Sequence, residues 1–354
     1  MPVFKLNFFL IFFWAFVAWF VTNNKRKRDL LFLTAIFVQF TLIDSLRDFS
    51  VGQDTMQYFL GFQKFAKMTF SKVIAAQWEP GYTLLNWSVA QLGGDYRMFL
   101  LITGAFINYS FLRFFYKYSD SVWLSVVIYV AFGYFFASLH ILRQYLAIAI
   151  VLYSYQYMLE RKFGKFLLLI LAATFFHTSA IVFIPTYFLC NQRLNPFPMM
   201  ILFLASLISA FMIGDVIIGY LTFNEKYAKF YLNDKSGGAG YSMLLLLSAI
   251  MVLALMLKPR RPDRRTVMFY WAFFIALCLQ PLATVISLVS RAILYWVISV
   301  TIILPMIISD LRSKKIRLMA YAVVVAGLAV FFLFISNAPE GVETWGTYRL
   351  YTNK

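Results

Sequence analysis

Apolar runs recur from one end of this chain to the other, parted by short polar stretches that hold most of the charge. They fall near residues 3–22, 30–46, 97–116, 122–139, 143–159, 198–221, 241–257, 266–287, 291–309 and 317–336. About 20 helical residues cross the apolar core of a bilayer, and in lipid every backbone polar group must find an internal partner. Regularly spaced alternating strands are absent, which excludes a β-barrel reading. The pattern predicts an all-α fold: a polytopic transmembrane helical bundle with an outward-facing cavity.

Two stretches fit no simple span. Residues 80–94 (PGYTLLNWSVAQLGG) are short, half polar and end in a glycine pair. Residues 163–190 read either as one long helix or as two short ones broken at Phe176-His177-Thr178-Ser179. The basic clusters arbitrate, because cytoplasmic loops carry the excess of Lys and Arg. Five clusters stay on one side: Lys25–Arg28, Arg113/Lys117, Arg161/Lys162/Lys165, 258–265 and Arg312–Arg317. For that, 80–94 must not cross and 163–190 must cross twice, with His177 at the outer turn. About twelve spanning helices result, plus a re-entrant or interfacial segment, with both termini outside. The opposite assignment of the two stretches sends Arg161, Lys162 and Lys165 outside. The expected organisation is a single integral membrane domain over 1–354. It has an outward interfacial segment at 47–96, an outward loop at 222–240 and a short tail at 337–354.

Composition agrees: the chain is 62% hydrophobic and only 13% charged, against about 25% charged in soluble domains. A formal charge of +17 suggests nucleic acid, but the basic residues sit in short loops between apolar runs. That is the pattern of membrane orientation and of contact with anionic lipids. No nucleic-acid partner is expected. Cys190 and Cys278 lie in separate apolar stretches, so neither a disulfide framework nor a thiolate metal site is indicated. The first run is too long and aromatic for a cleaved signal, and no A-x-A-like site follows it.

This threading gathers Arg47, Asp48, Asp54, Tyr58, Glu79, His140, Arg143, His177 and Arg291 on the outside. Arg143 and Arg291 open apolar helices, where the dipole disfavours a cation. An anion held by both the arginine and the free N–H groups accounts for them better, since charges within spans are costly and usually serve a pathway or ligand. Arg47 and Asp48 end a helix at an interface, where solvation suffices equally well. A lone carboxylate at Asp54 or Glu79 is more often solvated than catalytic. His177 suits either helix packing or function. His140 shares a face with Arg143 if one helix runs through both, and reads as a packing residue. Zinc-ligand spacing, phosphate-binding glycine loops and nucleotide fingerprints are missing, so no cofactor and no metal is expected. Outward cations at a membrane surface suit an amphiphile with an anionic head such as a polyprenyl diphosphate. Tyr58, Trp78, Tyr82, Asn86 and Trp87 around them suit sugars.

Five strings carry a resemblance: VGQDTMQY (51–58), EPGYTLLN (79–86), FASLHILRQYLAIAI (136–150), RKFGKFLLLILAATFFHTSAIVFIPTYFL (161–189) and SRAILYWVISVTIILP (290–305). In this order, over roughly residues 40–310, they resemble the EpsG-like branch of the Wzy-type polysaccharide polymerases. The most specific pieces are G-x-D-x-x-x-Y, E-P-G-Y, R-Q before an apolar helix, and F-H-x-S-A.

The resemblance implies a glycosyltransferase of a bacterial inner membrane, acting at its periplasmic face. It would join undecaprenyl-diphosphate-linked oligosaccharide repeat units into O-antigen, capsule or exopolysaccharide. Membrane lipids, a chain-length regulator and a flippase are the implied partners. Carried over residue by residue, Arg143 and Arg291 would hold the diphosphate, with Arg47 a weaker third. Tyr58, Tyr82, Gln144 and His140 complete the candidate binding set. Glu79, Asp54 and His177 are the candidates for the general base. The carboxylates lead slightly, because shielding by membrane is expected to make them more basic than in water.

Three readings compete, the transporter from another class. A transporter or flippase predicts inverted repeats with matching broken helices, and no convincing repeat relates the two halves. An O-antigen ligase is expected to carry a long outward loop late in the chain, whereas 222–240 is short. A membrane acyltransferase is expected to bury a reactive histidine and has no use for two outward arginines.

Overall fold

The computed structural model describes residues 2–52, 54–222, 239–257, 262–336 and 348–350. The outward loop and the tail therefore fall mostly outside the described residues, as do 258–261 of the late basic cluster.

The described chain is helical, as the apolar periodicity requires. Helix α1 (Pro2–Val21) leads into α2 (Lys25–Ser45), which Asn24 caps by accepting the Lys27 N–H. Three short helices follow: α3 (Thr55–Ala66), α4 (Phe70–Ile74) and α5 (Pro80–Gln91). Then come α6 (Tyr96–Tyr118), α7 (Val122–Ala131), α8 (Tyr134–His140), α9 (Leu142–Leu159) and α10 (Phe163–Thr174). A 3-10 turn over Thr178–Phe183 and the single-turn α11 (Thr186–Leu189) complete the middle. The last third holds α12 (Pro196–Thr222), α13 (Ala239–Leu257), α14 (Arg264–Ala283), α15 (Ser287–Val297), α16 (Val300–Ser309) and α17 (Lys314–Ser336).

Among the described residues six helices are long and apolar enough to cross a membrane, or seven if α7 and α8, bent by 56° at Gly133, form one span. This makes a multi-pass membrane protein, but the expected count of about twelve crossings is not reached. The shortfall has local causes. Helix α2 is long yet carries Lys25 to Asp29 and Asp44, and α9 carries Arg143, Gln144 and Gln156. The stretch at 163–190 does break at His177, but its first arm is only 12 residues, about 18 Å of helix. The stretch at 80–94 becomes the 12-residue α5, too short to cross, so it takes nothing from the expected count, which already left it out.

One end of the bundle gathers basic residues from distant parts of the chain. At this end Lys25 donates to the Asp120 carbonyl at 3.3 Å, and Arg265 grips the Asp120 carboxylate with a closest approach of 2.9 Å. Lys117 donates to Gln156 there at 2.6 Å. Arg143 opens α9 and Gln156 nearly closes it. The other end therefore lies some 27 Å away, the length of this 18-residue helix.

Arg47 corrects an expectation. It is only 1% exposed and forms an ion pair with Asp44, one helical turn before it. Asn108 of α6 donates to the same carboxylate at 3.0 Å, and the tail at Leu350 bridges back to Arg47. Its charge is thus paired with Asp44, which Asn108 links to α6, while its backbone meets the tail, and no contact joins it to Arg143.

Candidate functional site

Four short motifs converge at the end opposite the basic one, and each has a local reason. In the first, Gly52 adopts φ +101°, a left-handed turn that side chains rarely tolerate. The turn delivers Asp54 to the start of α3 and Tyr58 to its first turns. In the second, Glu79 precedes α5 and Pro80 occupies the first helical position, where its missing N–H costs nothing. Gly81 then donates to the Phe175 carbonyl at 2.8 Å. A Cβ at Gly81 would lie 2.7 Å from that carbonyl oxygen, so glycine is what lets α5 touch the turn at His177. Gly81→Ala must push the two apart. Because displacement by about 1 Å can cost a hundredfold in rate, we expect about that loss of the site's activity, with protein yield in the membrane retained.

In the third motif Arg143 and Gln144 begin α9. One Nη of Arg143 meets the Glu79 carboxylate at 2.6 Å, with the two side chains 25% and 14% exposed. The guanidinium sits 4.8 Å from the Trp78 ring centre, 5.9 Å from that of Tyr58 and 6.0 Å from that of Tyr82, so aromatic faces help hold it. Its buried Nε–H makes no hydrogen bond within the protein. In the fourth, His177 Nδ1 meets Ser179 Oγ at 2.7 Å, and Ser179 Oγ meets the Tyr295 hydroxyl at 3.0 Å. The Ser179 N–H also points to Nδ1 at 3.4 Å, which makes Nδ1 the acceptor and leaves the ring proton on Nε2.

Arg291 joins through α15. Gln144 donates to its carbonyl at 2.6 Å, and its charge is felt by both Tyr58 and His177. Glu79 accepts further from the Thr178 N–H at 3.4 Å, at the start of the 3-10 turn.

The electrostatics follow from this geometry. Burial raises the Glu79 carboxyl, but Arg143, then its own backbone and His177, outweigh burial and hold it below its ordinary 4.5. The expectation that membrane shielding makes Glu79 more basic is thereby corrected: in the resting site its counter-ion wins. Burial pushes His177 below its ordinary 6.5, with Arg143 and Arg291 adding to burial and Glu79 opposing it; the ring is neutral at pH 7. Burial, then Asp54, pushes the Tyr58 hydroxyl up to about 12.

Glu79, Arg143, His177, Arg291, Tyr58, Tyr82 and Gln144 thus come together, with Asp54 at the edge beside Tyr58. His140 does not join them. The chain breaks at Ile141 between α8 and α9, so His140 and Arg143 do not share a continuous helix face. His140 instead packs under the Gly52 turn, where a glycine Cβ would meet its ring at 3.1 Å. Tyr82 and Asn86 are fully buried, and the Trp87 indole donates to the Met68 carbonyl at 3.0 Å. Tyr82 and Asn86 are therefore packing residues here and present no face to a sugar, whereas Trp87 is half-buried. Ser179, the serine of F-H-x-S-A, and Tyr295 were not among the candidate site residues. Tyr295 lies four residues after Arg291, on the same helical face, and that spacing was the available signal.

The EpsG family model matches residues 30–351. No curated protein and no solved structure matches the chain.

Proposed function

The chain belongs to the EpsG family, a family of Wzy-like polysaccharide polymerases, and on that premise we propose that it joins undecaprenyl-diphosphate-linked oligosaccharide units at the periplasmic face of a bacterial inner membrane. One observation carries the reading: Arg143 pairs with Glu79, and the charge of Arg291 reaches His177, at the end of the bundle opposite the one that holds Lys25, Lys117 and Arg265. Basic loops stay in the cytoplasm, which turns this end outward.

In the reaction, the bond between the growing glycan's anomeric carbon and its diphosphate oxygen breaks, and undecaprenyl diphosphate leaves. An acceptor hydroxyl on the incoming unit forms the new glycosidic bond and gives up its proton to a base. Arg143 and Arg291 neutralise the charge that builds on the departing diphosphate, which is usually the largest single catalytic contribution. Guanidinium forks suit phosphate oxygens bidentately. His177, neutral with its proton on Nε2, donates to a phosphate oxygen and does not act as base in that tautomer.

The resting Arg143–Glu79 pair supplies a trigger. A diphosphate competes with Glu79 for the guanidinium. Once Arg143 turns to the phosphate, the Glu79 carboxylate keeps its burial and loses its main counter-charge, so its basicity rises. The base is then armed by donor binding, with Asp54 the second candidate. A cavity of about 360 Å³ runs beside α15, lined by Val182, Leu189, Leu279, Val289, Ala292 and Trp296. Val289 and Ala292 flank Arg291 in sequence, so this apolar groove suits the polyprenyl chain behind the diphosphate.

The test is reconstitution. Purified protein in liposomes, supplied with lipid-linked repeat units, should yield a ladder of longer lipid-linked glycans and free undecaprenyl diphosphate. Transbilayer movement of the lipid with no ladder would replace this reading with transport.

A further inference from the structure

The basic end holds a second cavity, of about 160 Å³, where α9 ends, the chain leaves α11 and α14 begins. Arg161, Arg193 and Arg264 border it, one from each of those places. All three are exposed, and among the described residues no ion pair holds any of them. The carboxylates on the adjoining turns are committed elsewhere. Glu160 pairs with Lys162 at 2.8 Å, Asp263 accepts the Thr266 N–H at 2.7 Å, and Asp120 is held by Arg265 at 2.9 Å. Met158, Leu159, Val267 and Met268 give the cavity an apolar side, and Asn191 and Gln192 stand beside the arginines on the polar one.

Arg161 adds an independent observation. It sits at φ +55°, the one non-glycine residue with positive φ among those described. It closes α9 in a two-bond turn, Lys162 N–H to Tyr157 carbonyl at 2.9 Å and Arg161 N–H to Met158 carbonyl at 3.2 Å. Glycine is the usual residue at this position, because a Cβ is disfavoured in the left-handed region. The chain keeps an arginine where glycine would be easier, and the turn aims it at the cavity.

We propose that this cavity binds the phosphate headgroup of an anionic phospholipid, with Arg161, Arg193 and Arg264 on the phosphate and the first acyl carbons along Leu159 and Val267. A cationic rim over an apolar lining fits an amphiphile, and basic pockets between membrane helices on this side take such headgroups. The site is separate from the candidate catalytic one and does not depend on the polymerase reading.

The experiment uses the full chain in detergent, with lipid retention read by native mass spectrometry. Phosphatidylglycerol should be retained and phosphatidylcholine not. Each Arg→Gln change should weaken retention about fivefold, and the triple change roughly a hundredfold, at about one unit of surface attraction per arginine. The control is Lys314→Gln with Lys315→Gln, two exposed lysines at the same end. Retention unchanged in the control supports a built site, whereas equal loss in both variants would show general surface charge and overturn it. Arg161→Gly should lower retention about fivefold with melting temperature unchanged or raised. Full retention in that variant would remove Arg161 from the site. Inorganic phosphate alone should not stabilise the protein; stabilisation equal to that by phosphatidylglycerol would assign the cavity to a free anion.

Discussion

Arg143→Lys will lower the rate of polymer formation by roughly two to three orders of magnitude, the loss expected when one preorganised charge donor is removed, while the protein still inserts and accumulates. Lysine keeps the positive charge and can keep the contact to Glu79. It loses the planar fork that holds a phosphate with two bonds, and it loses the flat face set against Trp78 at 4.8 Å. The charge therefore survives and the geometry does not. The measurement is glycan chain length on gels beside the amount of protein in the membrane. Wild-type chain lengths from the lysine variant would remove Arg143 from diphosphate binding.

Glu79→Gln will cost roughly a hundredfold to ten-thousandfold, the usual contribution of a general base, and Asp54→Asn far less. The asymmetry follows from position: Glu79 sits between Arg143 and the Thr178 N–H, whereas Asp54 stands at the edge beside Tyr58. A pH series separates the roles. The Glu79 carboxyl lies below its ordinary 4.5 in the folded protein, so its contribution to stability is complete above that value and is lost as pH falls through the lower, folded one. The glutamine variant should lack that acid-side loss of melting temperature. Full activity in both carboxylate variants would leave the reaction without a carboxylate base and turn attention to His177 in its other tautomer.

The candidate site was legible to the degree that short-range chemistry controls it. Gly52 lies in G-x-D-x-x-x-Y and Pro80 and Gly81 lie in E-P-G-Y, and their local conformations place Asp54, Glu79 and the contact with Phe175. Arg143 and Arg291 stood out because a charge at the start of an apolar helix needs a reason. What could not be read was pairing across distance. Arg47 looks available because solvation at a helix end competes with its i,i+3 pairing to Asp44, and because Asn108 and the returning tail are remote in sequence. His140 seemed to share a helix with Arg143, since nothing in S-L-H-I-L-R marks the break at Ile141. Among the described residues six or seven helices are long and apolar enough to cross, because the arms around His177 are short and α2 and α9 carry charged or polar ends.

The resting contact between Arg143 and Glu79 also bears on inhibitor chemistry. A bare pyrophosphate mimic must displace an anion already seated on its receptor, without a hydrocarbon tail to concentrate it at the membrane surface. Such compounds should be weak competitors however many negative charges they carry. A mimic that leaves Arg143 seated, and reaches for the adjoining neutral imidazole and the second guanidinium instead, avoids that displacement and is the better starting scaffold.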